Sequence, residues 1–90
     1  MRLAIRSYSY YNDVVIFHRF VDNGTDGINV LYESISGSLN QCFYGQIRFV
    51  SFDEVIELVN EQLANESIVE QDRNDIINKL SLLKDGGHIH

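Results

Sequence analysis

Three histidines and a single cysteine are the side chains in this sequence best suited to nucleophilic catalysis. His18 and Cys42 each lie in an apolar, strand-like segment, so packing of the two strands could bring them together. A Cys-His nucleophilic pair requires hydrogen-bond reach, a cleft and a third group that orients the base. A sheet built from 90 residues has little room for such a cleft. We therefore expect both residues to be structural and the protein not to be an enzyme, with a small hydrolase-type enzyme using His18 and Cys42 as an alternative.

The remaining histidines, His88 and His90, form an H-x-H pattern at the end of the chain. Two imidazoles on an extended segment can bind a transition metal ion weakly. Structural and catalytic zinc sites use three or four protein ligands in fixed geometry. We therefore expect neither a metal site nor a cofactor.

Carboxylates at regular spacing are the sharper feature of the sequence. Asp53, Glu57 and Glu61 recur every four residues, which places them at intervals of about 6 Å along one side of a helix. Further carboxylates extend this surface, namely Glu54, Glu66, Glu70, Asp72 and Asp75. The spacing is close to that of phosphates along a nucleic-acid strand, so the surface could occupy a basic groove. The alternative is a solvated helix face whose carboxylates favour the helix dipole.

All of the net charge of −6 belongs to the second half of the chain. Residues 1–50 hold four arginines against four carboxylates and are neutral, whereas residues 51–90 hold three cations against nine carboxylates. Direct binding of nucleic acid requires a basic surface that displaces counterions from phosphates. Because neither half provides one, we expect no direct nucleic-acid binding.

A second candidate contact surface contains arginine and tyrosine, the residues that dominate binding hot spots. Arg6, Tyr8 and Tyr10 alternate along one face of the first predicted strand, and Tyr11 follows at the hairpin tip. The same side chains could instead cover the open face of a sheet.

Composition limits the size, compartment and membrane association of the protein. A chain of 90 residues closes one hydrophobic core, and its longest apolar stretches of four residues are far shorter than a membrane span. One cysteine in so small a domain favours a reducing compartment. We expect a cytoplasmic protein without a signal peptide, or one in the host cytoplasm if it is phage-encoded.

The first half of the chain predicts four antiparallel strands. Asn12-Asp13, Asp22–Gly27 and residues 36–40 contain the residues that favour turns. The segment between the first two turns is apolar on both faces, as in a central strand. In the last strand Phe43, Ile47 and Phe49 should point inward, with a bulge or a close backbone approach at Gly45. The four predicted strands cover residues 2–10, 14–21, 28–35 and 42–50.

The second half predicts two helices. Ser51 with Glu54 and Ser67 with Glu70 both match the capping-box pattern, and Gly86 is a plausible helix end. Apolar stripes follow each box, Phe52, Val55, Ile56, Val59 and Leu63 in the first helix and Val69, Ile76, Ile77, Leu80 and Leu83 in the second. The order predicts a single α+β domain over 1–90, a four-stranded meander-like antiparallel sheet (2–50) with a helical pair (51–85) on one face and a flexible tail (86–90).

Together these patterns favour an interaction protein that inhibits or modulates a larger, nucleic-acid-handling protein with a basic surface. In size and charge the chain resembles the small acidic proteins with which phages block host defence nucleases, including anti-CRISPR proteins. This resemblance implies a nucleic-acid mimic and transfers no individual residues. A homo-oligomeric module, such as a homodimer paired through its sheet, is another alternative.

Overall fold

The computed structural model describes residues 1–8 and 12–89, which form two compact units, Met1–Val50 and Ser51–His90. The first unit holds a five-stranded antiparallel sheet and the second holds two α-helices. The predicted α+β class is therefore confirmed, whereas the predicted count of four strands is wrong.

The sheet has the strand order β4-β3-β2-β1-β5, and every neighbouring pair is antiparallel. The strand that was predicted to be central, β2, is the middle strand of the sheet. The elements are β1 (Arg2–Ser7), β2 (Asn12–Asp22), β3 (Ile28–Ser34), β4 (Leu39–Phe43), β5 (Ile47–Phe49), α1 (Phe52–Ala64) and α2 (Glu70–Asp85).

The predicted strand 42–50 is in fact two strands. A short 3-10 helix, Tyr44–Gln46, interrupts it, so β4 pairs with β3 and β5 pairs with β1. The backbone passes close to the Phe43 ring here, since a Cβ at position 45 would lie 3.3 Å from it. Instead of a bulge within one strand, Gly45 marks the place where the chain leaves one edge of the sheet for the other.

This short connection requires the sheet to be curled. Four residue steps from Phe43 to Ile47 span at most about 14 Å, whereas the two edge strands of a flat five-stranded sheet would lie roughly 19 Å apart. The sheet edges must therefore approach each other at this end. The Tyr44 ring meets Phe20 of β2 at a centroid distance of 5.4 Å, so the connection crosses over one sheet face.

The first predicted turn, Asn12-Asp13, is wrong, because both residues belong to β2. Asn12 and Asp13 open β2, directly opposite Ser7 and Arg6, instead of forming the turn. Residues with high β-propensity follow Asn12 and Asp13, and the strand that they form includes these two residues at its start. Residues 9–11, between the two strands, lie outside the described part of the chain.

A β-bulge distinguishes the second hairpin. The register of β2 against β3 shifts between Phe17 and Arg19, so His18 has no residue directly opposite it. This shift places the His18 side chain beside Glu33.

The core of the sheet unit lies on what we call the first face. Its buried residues are Ala4, Val15, Phe17, Val30, Tyr32 and Cys42, with Ile47 and Phe49 packed against them as predicted. The prediction that Phe43 points inward is wrong, because Phe43 is 54% exposed while Cys42 is buried. On the other face Leu3, Ile5, Val14 and Ile16 are also buried, consistent with a β2 that is apolar on both sides.

In the helical unit, the first predicted capping box is confirmed and the second is wrong. The Ser51 hydroxyl accepts from the Glu54 amide at 3.2 Å, and the Glu54 carboxylate accepts from the Ser51 amide at 3.3 Å. The cap of α2 is Val69, which provides no side-chain hydrogen bond.

Each helix buries part of its predicted stripe. Val55 and Val59 of α1 and Leu80 of α2 are fully buried, whereas Val69 is 63% exposed. At its end α2 stops at Asp85 with Gly86 as the cap, as predicted, and the next glycine adopts φ 76°. Within the described residues, neither helix is long and apolar enough to cross a bilayer.

Candidate functional site

Six carboxylates of the predicted contact surface, three of them chosen for their regular spacing, are all exposed, and we call them the acidic surface: Asp53, Glu54, Glu57, Glu61, Glu66 and Glu70. The first four project from α1, Glu66 lies in the connection between the helices, and Glu70 opens α2. All six belong to the helical unit. That unit, Ser51–His90, coincides with the half of the chain that carries the entire net charge of −6.

The first turn of α1 fixes the start of this surface. The capping box commits Glu54 to the helix terminus, where its carboxylate also satisfies the Ser51 amide. Asp53 shares this first turn, where a negative charge interacts favourably with the helix dipole. The positions of Glu57 and Glu61, one and two turns further on, follow directly from the helical rise.

The connection between the helices has an unusual backbone at Glu66. Its φ is 61°, the only positive φ at a non-glycine residue among those described. Its amide donates to the Leu63 carbonyl at 3.1 Å and the Ser67 amide donates to the Gln62 carbonyl at 2.8 Å. These paired bonds form a Schellman-type helix end, whose left-handed position is usually glycine. A carboxylate therefore stands where the backbone favours the smallest residue.

Two of the cations in the helical unit are engaged elsewhere. The Lys84 amine lies 4.4 Å from the centre of the Phe52 ring. The Arg73 guanidinium donates to Asn60 at 3.3 Å and to Asn74 at 3.0 Å. In the described residues, no cation forms an ion pair with Asp53, Glu57 or Glu61. The charge of these carboxylates is therefore presented to solvent.

The second predicted surface is organised around Arg6, at the end of β1. Its guanidinium lies 4.0 Å from the centre of the Tyr8 ring and 5.8 Å from that of Tyr32, and one terminal nitrogen donates to Gln46 at 3.5 Å. Tyr10 and Tyr11, which were predicted to belong to this surface, lie outside the described residues. We call Arg6, Tyr8, Tyr32 and Gln46 the arginine cluster.

Burial and charge in and beside the arginine cluster shift the pKa values of two ionisable groups. Burial and a hydrogen bond with Tyr8 raise the pKa of Tyr32 to about 12, although the nearby Arg6 charge acts to lower it. Opposite Arg6 on the neighbouring strand, partial removal from water raises the pKa of Asp13, against the lowering effect of the guanidinium. Arg6 thus bridges side chains of its own unit, which makes the cluster as much a part of the sheet core as a contact surface.

Sequence patterns missed three members of this neighbourhood: Asp13, Tyr32 and Gln46. The alternation of β1 selects only residues on its own strand. Asp13 lies beside Arg6 because of the register of β1 with β2. The register places Tyr32 in line with Arg2, so Tyr32 meets the Arg6 side chain across the first face and not through strand pairing. Gln46 joins because the chain crosses from β4 to β5. If the first turn had been placed correctly, the register of β1 with β2 would have predicted Asp13 as a neighbour of Arg6, but not Tyr32 or Gln46.

The structure separates His18 from Cys42. His18 Nε2 lies 3.1 Å from the Glu33 carboxylate, and Glu33 stands directly opposite Ile16, on the second face. Cys42 is buried in the core of the first face, with Val30 and Tyr32. Because the sheet lies between these two side chains, they do not form a Cys-His nucleophilic pair.

A shallow groove of about 310 Å³ opens on the first face of the sheet unit. It is lined by Phe20, Ile28 and Tyr44, the first two of which are about half exposed. Small-molecule sites combine an apolar lining with a few convergent polar groups that fix the ligand. Of these three residues only Tyr44 has a polar side-chain group, its hydroxyl. The groove therefore lacks the convergent polar groups that fix a small molecule.

Fold and surface together define a small α+β protein in which a neutral five-stranded sheet unit is joined to an acidic helical pair. Comparison with known proteins adds nothing to this class, since no family model, curated protein or solved structure matches the chain.

Proposed function

We propose that this protein is a small inhibitor or modulator that binds a larger, nucleic-acid-handling protein through its acidic surface. The observation that carries the proposal is the segregation of charge. The helical unit holds nine carboxylates against three cations, while the sheet unit is neutral. A partner with a basic groove would be attracted to one unit only, which orients the encounter.

The helix dipole explains only part of this charge. Asp53, Glu54 and Glu70 lie in first helical turns, where carboxylates are stabilising. Glu61 lies in the last turn of α1 and Glu66 just beyond it, at the negative end of the dipole, where a carboxylate is destabilising by a few tenths of a kcal/mol or more. The dipole would select against carboxylates at these two positions. Their presence there supports a binding role over simple solvation.

A basic groove that holds nucleic acid is the complementary partner surface. Carboxylates spaced by about 6 Å along α1 form a linear array of negative charge. Such an array can displace counterions from a groove of lysine and arginine side chains, as a phosphate backbone does. Binding should therefore weaken as salt concentration rises, and short DNA should compete for the groove.

The test is affinity capture from a bacterial lysate with bound proteins identified by mass spectrometry, at low and high salt. We expect a nucleic-acid-binding protein that is retained at low salt and released by high salt or by a short DNA duplex. A captured protein that DNA does not displace would contradict nucleic-acid mimicry, and capture of nothing at low salt would contradict the binding role.

Two variants with equal changes in net charge locate the contact. The first carries Glu57→Gln, Glu61→Gln and Glu66→Gln within the acidic surface. The second carries the changes Asp72→Asn, Asp75→Asn and Asp85→Asn in α2, so it leaves the six carboxylates of the acidic surface intact and tests the extension that the sequence predicted at Asp72 and Asp75. We expect the first to lose the captured protein and the second to retain it. Equal loss in both would show that net charge matters and the position of the charges does not.

A further inference from the structure

The two edges of the five-stranded sheet differ in how they are protected. Native sheets blunt their edges with very short strands, charged side chains or proline, since an exposed edge recruits other strands. At one edge β5 is three residues long and has Arg48 at its centre. At the other edge β4 is five residues long, Leu39–Phe43, and contains neither a charged residue nor proline. Only one edge is therefore protected.

The backbone of β4 presents unused hydrogen-bonding groups. The Ser34 amide donates to the Ser38 carbonyl at 2.9 Å at the start of the β3–β4 hairpin. Because hydrogen-bonded and non-hydrogen-bonded pairs alternate in an antiparallel ladder, the N–H and C=O groups of Leu39 and Gln41 and the N–H of Phe43 point away from β3. The Phe43 carbonyl begins the 3-10 helix Tyr44–Gln46 instead. In the described part of the chain, no strand lies beyond β4.

We propose that β4 is a dimerisation edge, which pairs antiparallel with β4 of a second copy of this chain about a two-fold axis at Gln41. In this register Gln41 faces the partner's Gln41, and Leu39 faces the partner's Phe43. The N–H and C=O groups of the two Gln41 residues then bond to each other, and each Phe43 N–H donates to the Leu39 carbonyl of the other copy. The interface is isologous, as expected for a symmetric dimer.

The side chains of β4 suit this pairing. Leu39 and Phe43 are 61% and 54% exposed although both are large and apolar. They lie on the same side of the strand as Gln41, so the dimer places each Leu39 against a phenyl ring of the other copy. The strand carries no charge, and the sheet unit as a whole is neutral, so the pairing brings no like charges into opposition.

The size of the interface predicts a weak dimer. At roughly 200 Å² for a fully exposed large side chain, the exposed fractions of Leu39 and Phe43 in two copies amount to about 450 Å² of apolar surface. The strand backbones add to this area, yet the total remains below the roughly 1,200 Å² of a stable interface. We therefore expect a dimer that forms at high protein concentration and dissociates on dilution.

Sedimentation equilibrium over a range of protein concentrations tests the dimer. The weight-average mass of the wild-type protein should rise with concentration from 10.4 kDa towards twice that value. Gln41→Lys should abolish this rise, because it places two ammonium groups opposite each other across the two-fold axis. Gln71→Lys, an equal charge change at an exposed position of α2, should leave it intact.

Cysteine cross-linking tests the register. With Gln41→Cys, the two thiols would lie on residues whose Cα atoms are about 5.5 Å apart, within the separation that a disulfide spans. With Leu39→Cys they would lie about 13 Å apart. We expect an oxidant to cross-link the first variant and not the second. The native Cys42, which is buried, should remain reduced in both.

Several outcomes would overturn the proposal. A wild-type mass of one chain at all concentrations up to about 1 mM, a range that includes weak complexes, together with no cross-link through Gln41→Cys, would exclude a second copy from this edge. Efficient cross-linking through Leu39→Cys would exclude the register centred on Gln41. An equal loss of dimer in both lysine variants would exclude β4 as the interface.

Discussion

The backbone at Glu66 gives the sharpest stability prediction. Its φ of 61° lies in the left-handed region, which residues with a Cβ occupy only at a cost in free energy. We predict that Glu66→Gly stabilises the protein, although most substitutions by glycine in or beside helices are destabilising.

The magnitude follows from two opposing terms. Relief of the left-handed strain contributes about 1–2 kcal/mol, while the greater freedom of glycine in the unfolded chain removes about 0.4–1 kcal/mol. The net gain in the free energy of unfolding is therefore about 0.5–1 kcal/mol. For a domain of this size it corresponds to a rise in Tm of roughly 2–8 °C.

Urea denaturation followed by far-ultraviolet circular dichroism measures this change. Glu61→Gly is the matched control, because it is the same substitution within α1 and should destabilise by about 1 kcal/mol. Glu66→Gln removes the charge and keeps the strain, so it separates the electrostatic contribution. If Glu66→Gly destabilises as much as Glu61→Gly does, the reasoning about the helix end is refuted.

Two further predictions concern the cap of α1 and the arginine cluster. Ser51→Ala should lower the free energy of unfolding by about 1 kcal/mol, since the Glu54 amide loses its acceptor. The control is Ser67→Ala, where no capping box forms. Equal losses of unfolding free energy in the two variants would contradict this explanation. The phenol of Tyr32 should ionise near pH 12, whereas an unfolded tyrosine ionises near 10. Because the pKa is raised in the folded state, stability is lost as pH rises between these values. Tyr32→Phe should remove that part of the loss. Identical pH profiles for variant and wild type in ultraviolet and denaturation titrations would contradict the raised pKa of Tyr32.

Local sequence rules predicted most elements because their signals are short-range. A run that is apolar on both faces located β2, the turn clusters on either side located β3, and the hydroxyl–carboxylate pattern at Ser51 located the start of α1. The fifth strand escaped prediction because β4 and β5 continue one apolar pattern across Gly45. Which edge of the sheet a segment joins depends on long-range pairing, which the pattern at positions 42–50 does not contain.

The second capping box failed for a reason that lies in the preceding helix. Ser67 matches the pattern, but its amide donates to the Gln62 carbonyl and so completes the end of α1. The backbone at Ser67 is thereby committed to one helix, and α2 begins only after Val69. Connections this short force two local motifs to compete for the same residues, and a pattern read one motif at a time does not decide between them.

The positions of Asp53, Glu57 and Glu61 were predictable because helical spacing determines them, whereas the arginine cluster was not predictable. Arg6 and Tyr8 lie near each other in sequence, but Tyr32 belongs to β3, two strands away, and Gln46 belongs to the crossing connection. Spacing does not show that Glu66 occupies the left-handed position at the end of α1, where the backbone favours glycine. That conflict between local stability and composition is visible only in the backbone dihedral angle.

The two proposed interactions should respond differently to salt. Binding through the acidic surface is an attraction between unlike charges, so added salt weakens it. Dimerisation through β4 joins uncharged strands, but each copy also brings a helical unit of net charge −6. Screening reduces the repulsion between these units, so added salt should leave the dimer unchanged or strengthen it. A salt series that measures mass and partner capture in the same samples therefore separates the two interactions, and a parallel loss of both would mean that they share one electrostatic interface.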